Sequence, residues 1–285
     1  MKKVIVTGCN RGIGLEIVLA FGRAGFQVFA TMRSPKKATG LSEKIEVESL
    51  PITLHKMNVN SDISVKACMD EILIENGGID ILVNNAGIGL NGSIEEMPIS
   101  DFKAVFETNF FGAIRCMQAV LPSMREQKSG CLINITSVSG RLTSSPLGCY
   151  SASKFALEAV SEALAQEVKP FNIRVGIVEP GIIDTDMAHE IEEESVSIYP
   201  SSKRMADLFF ASLKNPTPAT LVAETVVAFA AGDSWILRHP VGPDALPFIQ
   251  WRLSMTDEEW TDRNSLPDEE WYDAVERDFG MNARR

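Results

Sequence analysis

The chain has 285 residues, and its 27 lysines and arginines against 38 aspartates and glutamates give a net charge of −11. A content of 45% hydrophobic and 23% charged residues is that of a globular protein, which excludes a disordered chain, a collagen-like repeat and a disulfide scaffold. The acidic balance, without any basic run, also argues against a nucleic acid or anionic membrane partner, because both need clustered lysine and arginine.

Val4–Thr7 is a short β-branched run that ends at Gly8. Apolar residues at Ile13, Ile17, Ala20, Phe21 and Ala24 then follow helical spacing, Gly25 suits a C-cap, and Phe26–Met32 returns to strand character. The alternation repeats: Ile52–Val59 reads as strand, Ile63–Glu75 as helix and Ile79–Asn84 as strand. Helical periodicity runs from about Ser100 to Gln127, and Cys131–Thr136 reads as strand. Tyr150–Pro170 reads as a long helix, and Arg174–Val178 as a strand stopped by Pro180-Gly181. Short apolar strands alternating with helices predict an α/β fold, a single doubly wound parallel-sheet domain of Rossmann type.

Beyond Pro180 the pattern loosens. Asp186–Leu213 is helical and irregular by turns, Ala219–Ala231 is a further helix, and Trp235–Leu237 is a candidate last strand. In the tail, Asp257-Glu258-Glu259-Trp260 and Asp268-Glu269-Glu270-Trp271 predict two short surface helices, each pinned by a tryptophan, with Thr256 and Ser265 as candidate N-caps and a lid or subunit contact as the other reading. The expected organisation is a dinucleotide-binding catalytic domain over residues 1–245, with a substrate-covering segment at about 182–215. Residues 246–285 then form a helical extension of the same domain.

The five cysteines (Cys9, Cys68, Cys116, Cys131, Cys149) are scattered without a CxxC pair, and His55, His189 and His239 lie far apart. Reduced thiols, no metal site and a cytoplasmic location are the expectation. The segment Met1–Thr7 is too short in its apolar part for a signal peptide, and no stretch approaches the roughly 18–20 apolar residues of a bilayer span.

After the first strand comes Thr7-Gly8-Cys9-Asn10-Arg11-Gly12-Ile13-Gly14. In this GxxxGxG turn Gly8 permits the tight turn, Gly12 lets backbone approach a pyrophosphate, and Gly14 allows close helix packing. The first amides of the helix then face the phosphates. At the end of the second strand, where NAD enzymes place a carboxylate for the ribose 2′-hydroxyl, the chain has Ala30-Thr31-Met32-Arg33. Arg33, with Arg11 nearby, presents a donor fork suited to a 2′-phosphate, which predicts NADP(H) as cofactor.

Ser137 follows the strand Cys131–Thr136 at its carboxyl edge, and Tyr150-Ser151-Ala152-Ser153-Lys154 opens the next helix thirteen residues later. The i,i+4 spacing sets Tyr150 and Lys154 on one helical face. A neighbouring ammonium is expected to lower the phenol pKa and fit it for acid–base work on an alcohol or ketone, with Ser137 donating to the carbonyl oxygen. A YxxxK pair alone is common on surfaces; its occurrence with the glycine turn carries the reading.

Together, Thr7–Gly14, Asn84-Asn85-Ala86-Gly87, Asn109, Ser137, Tyr150-x-x-x-Lys154 and Pro180-Gly181 resemble the classical short-chain dehydrogenase/reductase family, in its order and approximate spacing, over roughly residues 2–240. The resemblance implies that Asn85, Ala86 and Gly87 line the cofactor, with Asn85 bracing the sheet, and that Asn109 holds a water in a proton relay from Lys154. It further implies that Lys154 bonds the nicotinamide ribose, and that Ile183 (through its backbone) and Thr185 hold the carboxamide, after Pro180-Gly181. The family commonly has aspartate after the third strand to meet the adenine amino group. Here the stretch is Asn58-Val59, whose Asn58 carbonyl can still accept. Family members often pair through the helices at about Phe110–Gln127 and Tyr150–Pro170, which implies a homodimer or homotetramer.

Ser139, Leu142, Leu147 and Met187, with Ile191 and Leu208-Phe209-Phe210, are expected around a substrate pocket. An apolar pocket suggests a steroid, retinoid or fatty alcohol or ketone, although core packing alone explains such residues too. The stretch Arg238–Ala245 also looks like that of hydroxysteroid- and retinol-dehydrogenase-like members. The acidic run Glu190–Glu194 is a candidate for repelling acidic substrates, with a solvated helix face as the plainer reading. His189 reads as a surface residue, and Cys9 and Cys149 as space-filling thiols. Two other functions have different marks. A non-catalytic NADP(H)-binding redox sensor would carry a damaged Ser–Tyr–Lys set, and a sugar-nucleotide epimerase or dehydratase would have another glycine spacing and a tightly retained cofactor.

Overall fold

In a computed structural model, which describes residues 1–192 and 197–285, seven strands form one parallel sheet in the order β3-β2-β1-β4-β5-β6-β7. The first half of the chain contributes β1 (Lys3–Thr7), α1 (Gly12–Arg23), β2 (Gln27–Met32), α2 (Thr39–Glu48), β3 (Ile52–Lys56), α3 (Asp62–Asn76) and β4 (Ile81–Asn84). There follow α4 (Ile99–Phe106), α5 (Gly112–Gln127), β5 (Gly130–Ile135), α6 (Gly148–Val168) and β6 (Ile173–Pro180). The remainder holds α7 (Asp186–Glu192), α8 (Ser201–Leu213), α9 (Ala219–Ala231), β7 (Arg238–Val241), α10 (Ala245–Leu253), α11 (Asp257–Asn264) and α12 (Asp268–Phe279).

Both faces of the sheet are covered, so its strands are apolar on both sides. Alternate side chains divide between two cores. Val4 and Val6 of β1 pack with Phe21 of α1 and Phe229 of α9, while Ile5 packs with Met69 of α3, Val120 of α5 and Leu157 of α6. A third apolar cluster joins Val138 and Leu147 to Met205 and Phe209 of α8 and Phe248 and Ile249 of α10. The order of strands reverses between β1 and β4, so the crevice beyond their carboxyl ends is where a ligand fits in such a sheet.

Three expectations are corrected. The last strand is Arg238–Val241 and not Trp235–Leu237: Trp235 and Ile236 are exposed, and the edge strand pairs with β6 from Arg238 onward. An edge tolerates Pro240, which is why the segment lacks a strand-like pattern. Ser265 does not cap α12; it is the C-cap of α11, and α12 starts after Pro267. Thr256 does cap α11, in a full capping box with Glu259. The tail helices are also more than surface decoration: Trp260 and Trp271 are buried, and the Trp260 indole donates to the Thr143 carbonyl at 3.1 Å. Among the described residues no helix is long and apolar enough to cross a membrane.

Candidate active site

The glycine turn lies at the carboxyl end of β1, and its geometry explains its composition. Gly8 has φ +72°, and a Cβ there would sit 2.8 Å from the Ala86 Cα. A Cβ on Gly14 would run into the Gly8 carbonyl and the Asn85 side-chain amide. That amide donates to the Thr7 and Gly8 carbonyls at 2.9 and 3.1 Å, and the Thr7 hydroxyl accepts from the Asn85 and Ala86 backbone at 3.0 and 2.9 Å. Asn85 therefore ties β1 to β4, and the contribution of Thr7, which sequence reasoning passed over, is visible only in the fold.

From this turn a cavity of about 580 Å³ extends across the ends of the strands. Of the residues expected at the cofactor, Gly8, Asn10, Arg11, Gly12, Ile13, Gly14, Arg33, Asn58, Val59, Asn85, Ala86, Gly87, Pro180, Gly181, Ile183 and Thr185 all line it. Arg33 is exposed at the end of β2, and no carboxylate pairs with it among the described residues. Arg11 behaves differently: its guanidinium holds Asp186 at 2.8 Å and Glu190 at 4.0 Å across the mouth, in exposed pairs that give way easily. The Asn58 side-chain carbonyl accepts from the Asn60 backbone at 3.3 Å and keeps a second lone pair. Thr185 accepts from the Ala188 backbone at 3.3 Å and so caps the first turn of α7.

Ser137, Tyr150 and Lys154 come together midway along the wall. Ser137 lies two residues past β5 and caps a 3-10 turn, Val138–Gly140, accepting from the Ser139 backbone at 3.0 Å. Its hydroxyl donates to the Pro180 carbonyl at 3.4 Å and favours the phenolate of Tyr150. Lys154, buried on α6, donates to the Ile135 carbonyl at 2.9 Å with its Nζ 5.6 Å from the Tyr150 ring centre.

The proton chemistry departs from the expectation. Burial pushes the phenol up to about 12, against the opposing hydrogen bond from Ser137, so Tyr150 is a neutral proton donor and not a ready phenolate. Lys154 is itself brought down to about 8 by burial, with Glu158 resisting the change. Glu158 lies one turn beyond Lys154 on α6 and accepts from Thr136 at 2.7 Å and from Arg238 at 2.9 Å. This carboxylate was missed, although the continued i,i+4 spacing from Lys154 marks it in the sequence.

Asn109 lies behind the wall and not in it. The run from α4 to α5 contains one π turn, Glu107–Phe111, which turns Asn109 inward. Its side chain accepts from the Ile88 backbone at 2.8 Å and donates to the Ile88 carbonyl and the Ser153 hydroxyl, both at 3.0 Å. Asn109 and Lys154 both flank Gly87.

The other half of the cavity is mostly apolar. Ser139, Leu142, Leu147, Met187, Ile191, Leu208 and Phe209 line it as expected, whereas Phe210 does not; it packs under Lys214 and Arg285. Trp251, Arg263, Trp271 and Phe279 from the tail also line it; of these only Trp271 stood out in the sequence, as the pin of a tail helix. His189 is exposed and meets Asp184 at 2.9 Å. Glu193 and Glu194 of the acidic run lie outside the described residues.

The sequence profile of the short chain dehydrogenase family matches residues 2–196. Retinol dehydrogenase 8 of Bos taurus is 37% identical over 225 residues, which cover 77% of this chain and 72% of that protein. A short-chain dehydrogenase from Streptomyces avermitilis superposes with a TM-score of 0.80 at 29% identity, covering 97% of this chain and 98% of that one. A metagenomic short-chain oxidoreductase solved in complex with NADP superposes with a TM-score of 0.68 at 26% identity, covering 83% of this chain and 95% of the other.

Proposed function

The chain belongs to the short chain dehydrogenase family, and from that premise we propose an NADP(H)-dependent oxidoreductase that interconverts an alcohol and a ketone or aldehyde on a hydrophobic substrate of steroid, retinoid or fatty type. The observation that carries the reading is the meeting of Ser137, Tyr150 and Lys154 on the wall of one cavity, between a glycine turn and an apolar end. The donors fit a phosphorylated dinucleotide: Gly12 and Ile13 supply first-turn amides for a pyrophosphate, and Arg33 supplies an uncompensated fork for a 2′-phosphate. Asn58 and Val59 would meet the adenine, Asn85–Gly87 the middle of the cofactor, Tyr150 and Lys154 the ribose, and Pro180, Gly181, Ile183 and Thr185 the carboxamide. When bound, the nicotinamide supplies or accepts the hydride at the substrate carbon.

Tyr150 then gives its phenolic proton to the substrate oxygen in reduction and takes it back in oxidation. Ser137, already beside the phenol, donates to the same oxygen as charge gathers there. Lys154 holds a positive charge under the phenol, and Asn109, across Gly87, stands on the path of proton resupply. The relative that acts on retinol and the apolar end formed by Leu142, Met205 and Phe209 support a hydrophobic substrate. We read residues 1–245 as the catalytic domain, with about 182–215 covering the substrate and 246–285 extending it. Five buried free thiols support a reducing compartment such as the cytoplasm, and Phe111 on the π turn and Phe155 on α6, both exposed, support pairing of copies there.

Following NADPH absorbance over a panel of apolar ketones and alcohols tests the activity. The expected result is turnover with NADPH at least about tenfold more efficient than with NADH, and loss of that preference in Arg33→Ala. Equal or better use of NADH by the wild type would overturn the cofactor assignment.

A further inference from the structure

At the end of β6 the chain turns along the cavity wall through Pro180, Gly181, Ile182 and Ile183. Three amides of this turn are pinned from outside it. Gly181 donates to the Val241 carbonyl of β7 at 2.9 Å, Ile182 to the Asp244 carboxylate at 2.8 Å, and Asp184 to the Thr217 carbonyl at 2.9 Å. Between these pins the Ile183 amide has no acceptor among the described residues. A main-chain donor is seldom left so. This one belongs to a residue of the cavity wall, and the pins on either side set its direction.

Of the three pins, Asp244 is the one made by a side chain. It stands at the N-cap position of α10, where an aspartate ordinarily accepts from the first amides of its own helix. Here it makes no such bond, and its Oδ2 takes the Ile182 amide from another part of the chain. Oδ1 is closed to water and has no partner. Two glycines make room for it: a Cβ on Gly181 would lie 2.2 Å from Oδ1, and one on Gly242, at φ +110°, would lie 2.8 Å away. Burial pushes the Asp244 carboxyl up, with the Ile182 amide among the groups that resist. A cap forgone and a buried oxygen left bare both cost stability, so the carboxylate is explained by what it holds and not by the packing of the tail. Asp244 itself lies behind the wall, with Gly181 and Ile182 between it and the cavity.

We infer that Asp244 is a positioning residue for the nicotinamide end of the cofactor: by fixing Ile182 it aims the unbonded Ile183 amide at the carboxamide. It touches neither cofactor nor substrate. The inference rests on the proposed function in placing the carboxamide at Pro180–Thr185.

Calorimetric titration of the full chain with NADPH and with adenosine 2′,5′-bisphosphate separates the two halves of the cofactor, since the second ligand carries the 2′-phosphate and no nicotinamide. Asp244→Ala should bind NADPH roughly tenfold more weakly and the bisphosphate within about twofold of the wild type. Asp244→Asn keeps an acceptor oxygen for Ile182 and should restore NADPH binding to within about threefold of the wild type. Asp244→Leu fills the same space without an acceptor and takes the place of the alanine variant if that one does not fold. Unchanged NADPH affinity without the carboxylate, an equal loss for both ligands, or an asparagine variant as weak as alanine would each overturn the inference alone. A wild type that binds neither ligand would instead overturn the cofactor assignment, and the inference with it.

Discussion

At Tyr150 two effects oppose each other: the hydrogen bond from Ser137 favours the phenolate, and burial disfavours it more strongly. The sequence spacing put Tyr150 and Lys154 on one face, but it could not report how much water each would lose, and so the predicted direction of the phenol shift was wrong. Lys154, ordinarily near 10.5, titrates at about 8 because it is buried, with the Glu158 charge on its own helix partly restoring the ammonium. Reduction needs the phenol protonated and the ammonium charged. We therefore expect kcat/KM for ketone reduction to hold up to about pH 8 and to fall above it. Unfolding does not explain such a fall: between about 8 and 10.5 the unfolded chain holds more protons at Lys154 than the folded one, so this residue makes stability rise with pH there. Initial rates at saturating NADPH, with melting curves across the same range, check both halves; a flat rate profile to pH 10 would contradict the assignment. Arg33 and the glycine turn were legible because their chemistry is local. Arg263 was not, since it joins the cavity wall only once distant segments have assembled.

Among the elements, the π turn between α4 and α5 matters most for the site. Ser100–Gln127 reads as one periodic helix because a single wide turn only shifts the phase of an apolar stripe, yet that shift brings Asn109 against Ile88 and Ser153. Asn109→Ala would strand the Ile88 backbone pair and remove the donor to Ser153. A loss of roughly 2–6 kcal/mol follows from about 1–3 kcal/mol for each of the two part-buried backbone groups left unsatisfied. Urea denaturation should show a lower midpoint at an unchanged slope. A change under about 0.5 kcal/mol would mean that the π turn is held by other contacts. The central strands were legible from their β-branched runs, whereas β7 and α2 were not: β7 is a polar edge with a proline, and α2 buries only Leu41. Neither presents the stripe or alternation that sequence periodicity detects.

Across the whole molecule, the doubly wound sheet fixes one end of the cavity and the C-terminal helices complete the other. The first could be foreseen, because the parallel sheet of β1–β6 with helices on both faces follows from the order of apolar runs. The second could not, since Trp251, Trp271 and Phe279 reach the cavity only after α10–α12 fold back on α8. Family relatedness accounts for the catalytic half, and the tail supplies part of the wall of the other. Both halves depend on the phenol of Tyr150 passing a proton beside the bound dinucleotide. The most direct test is turnover and NADPH affinity in Tyr150→Phe. The account predicts a fall in kcat of roughly 10²–10⁴ with NADPH binding changed only a few-fold; a phenylalanine variant that reduces ketones at near the wild-type rate would contradict it.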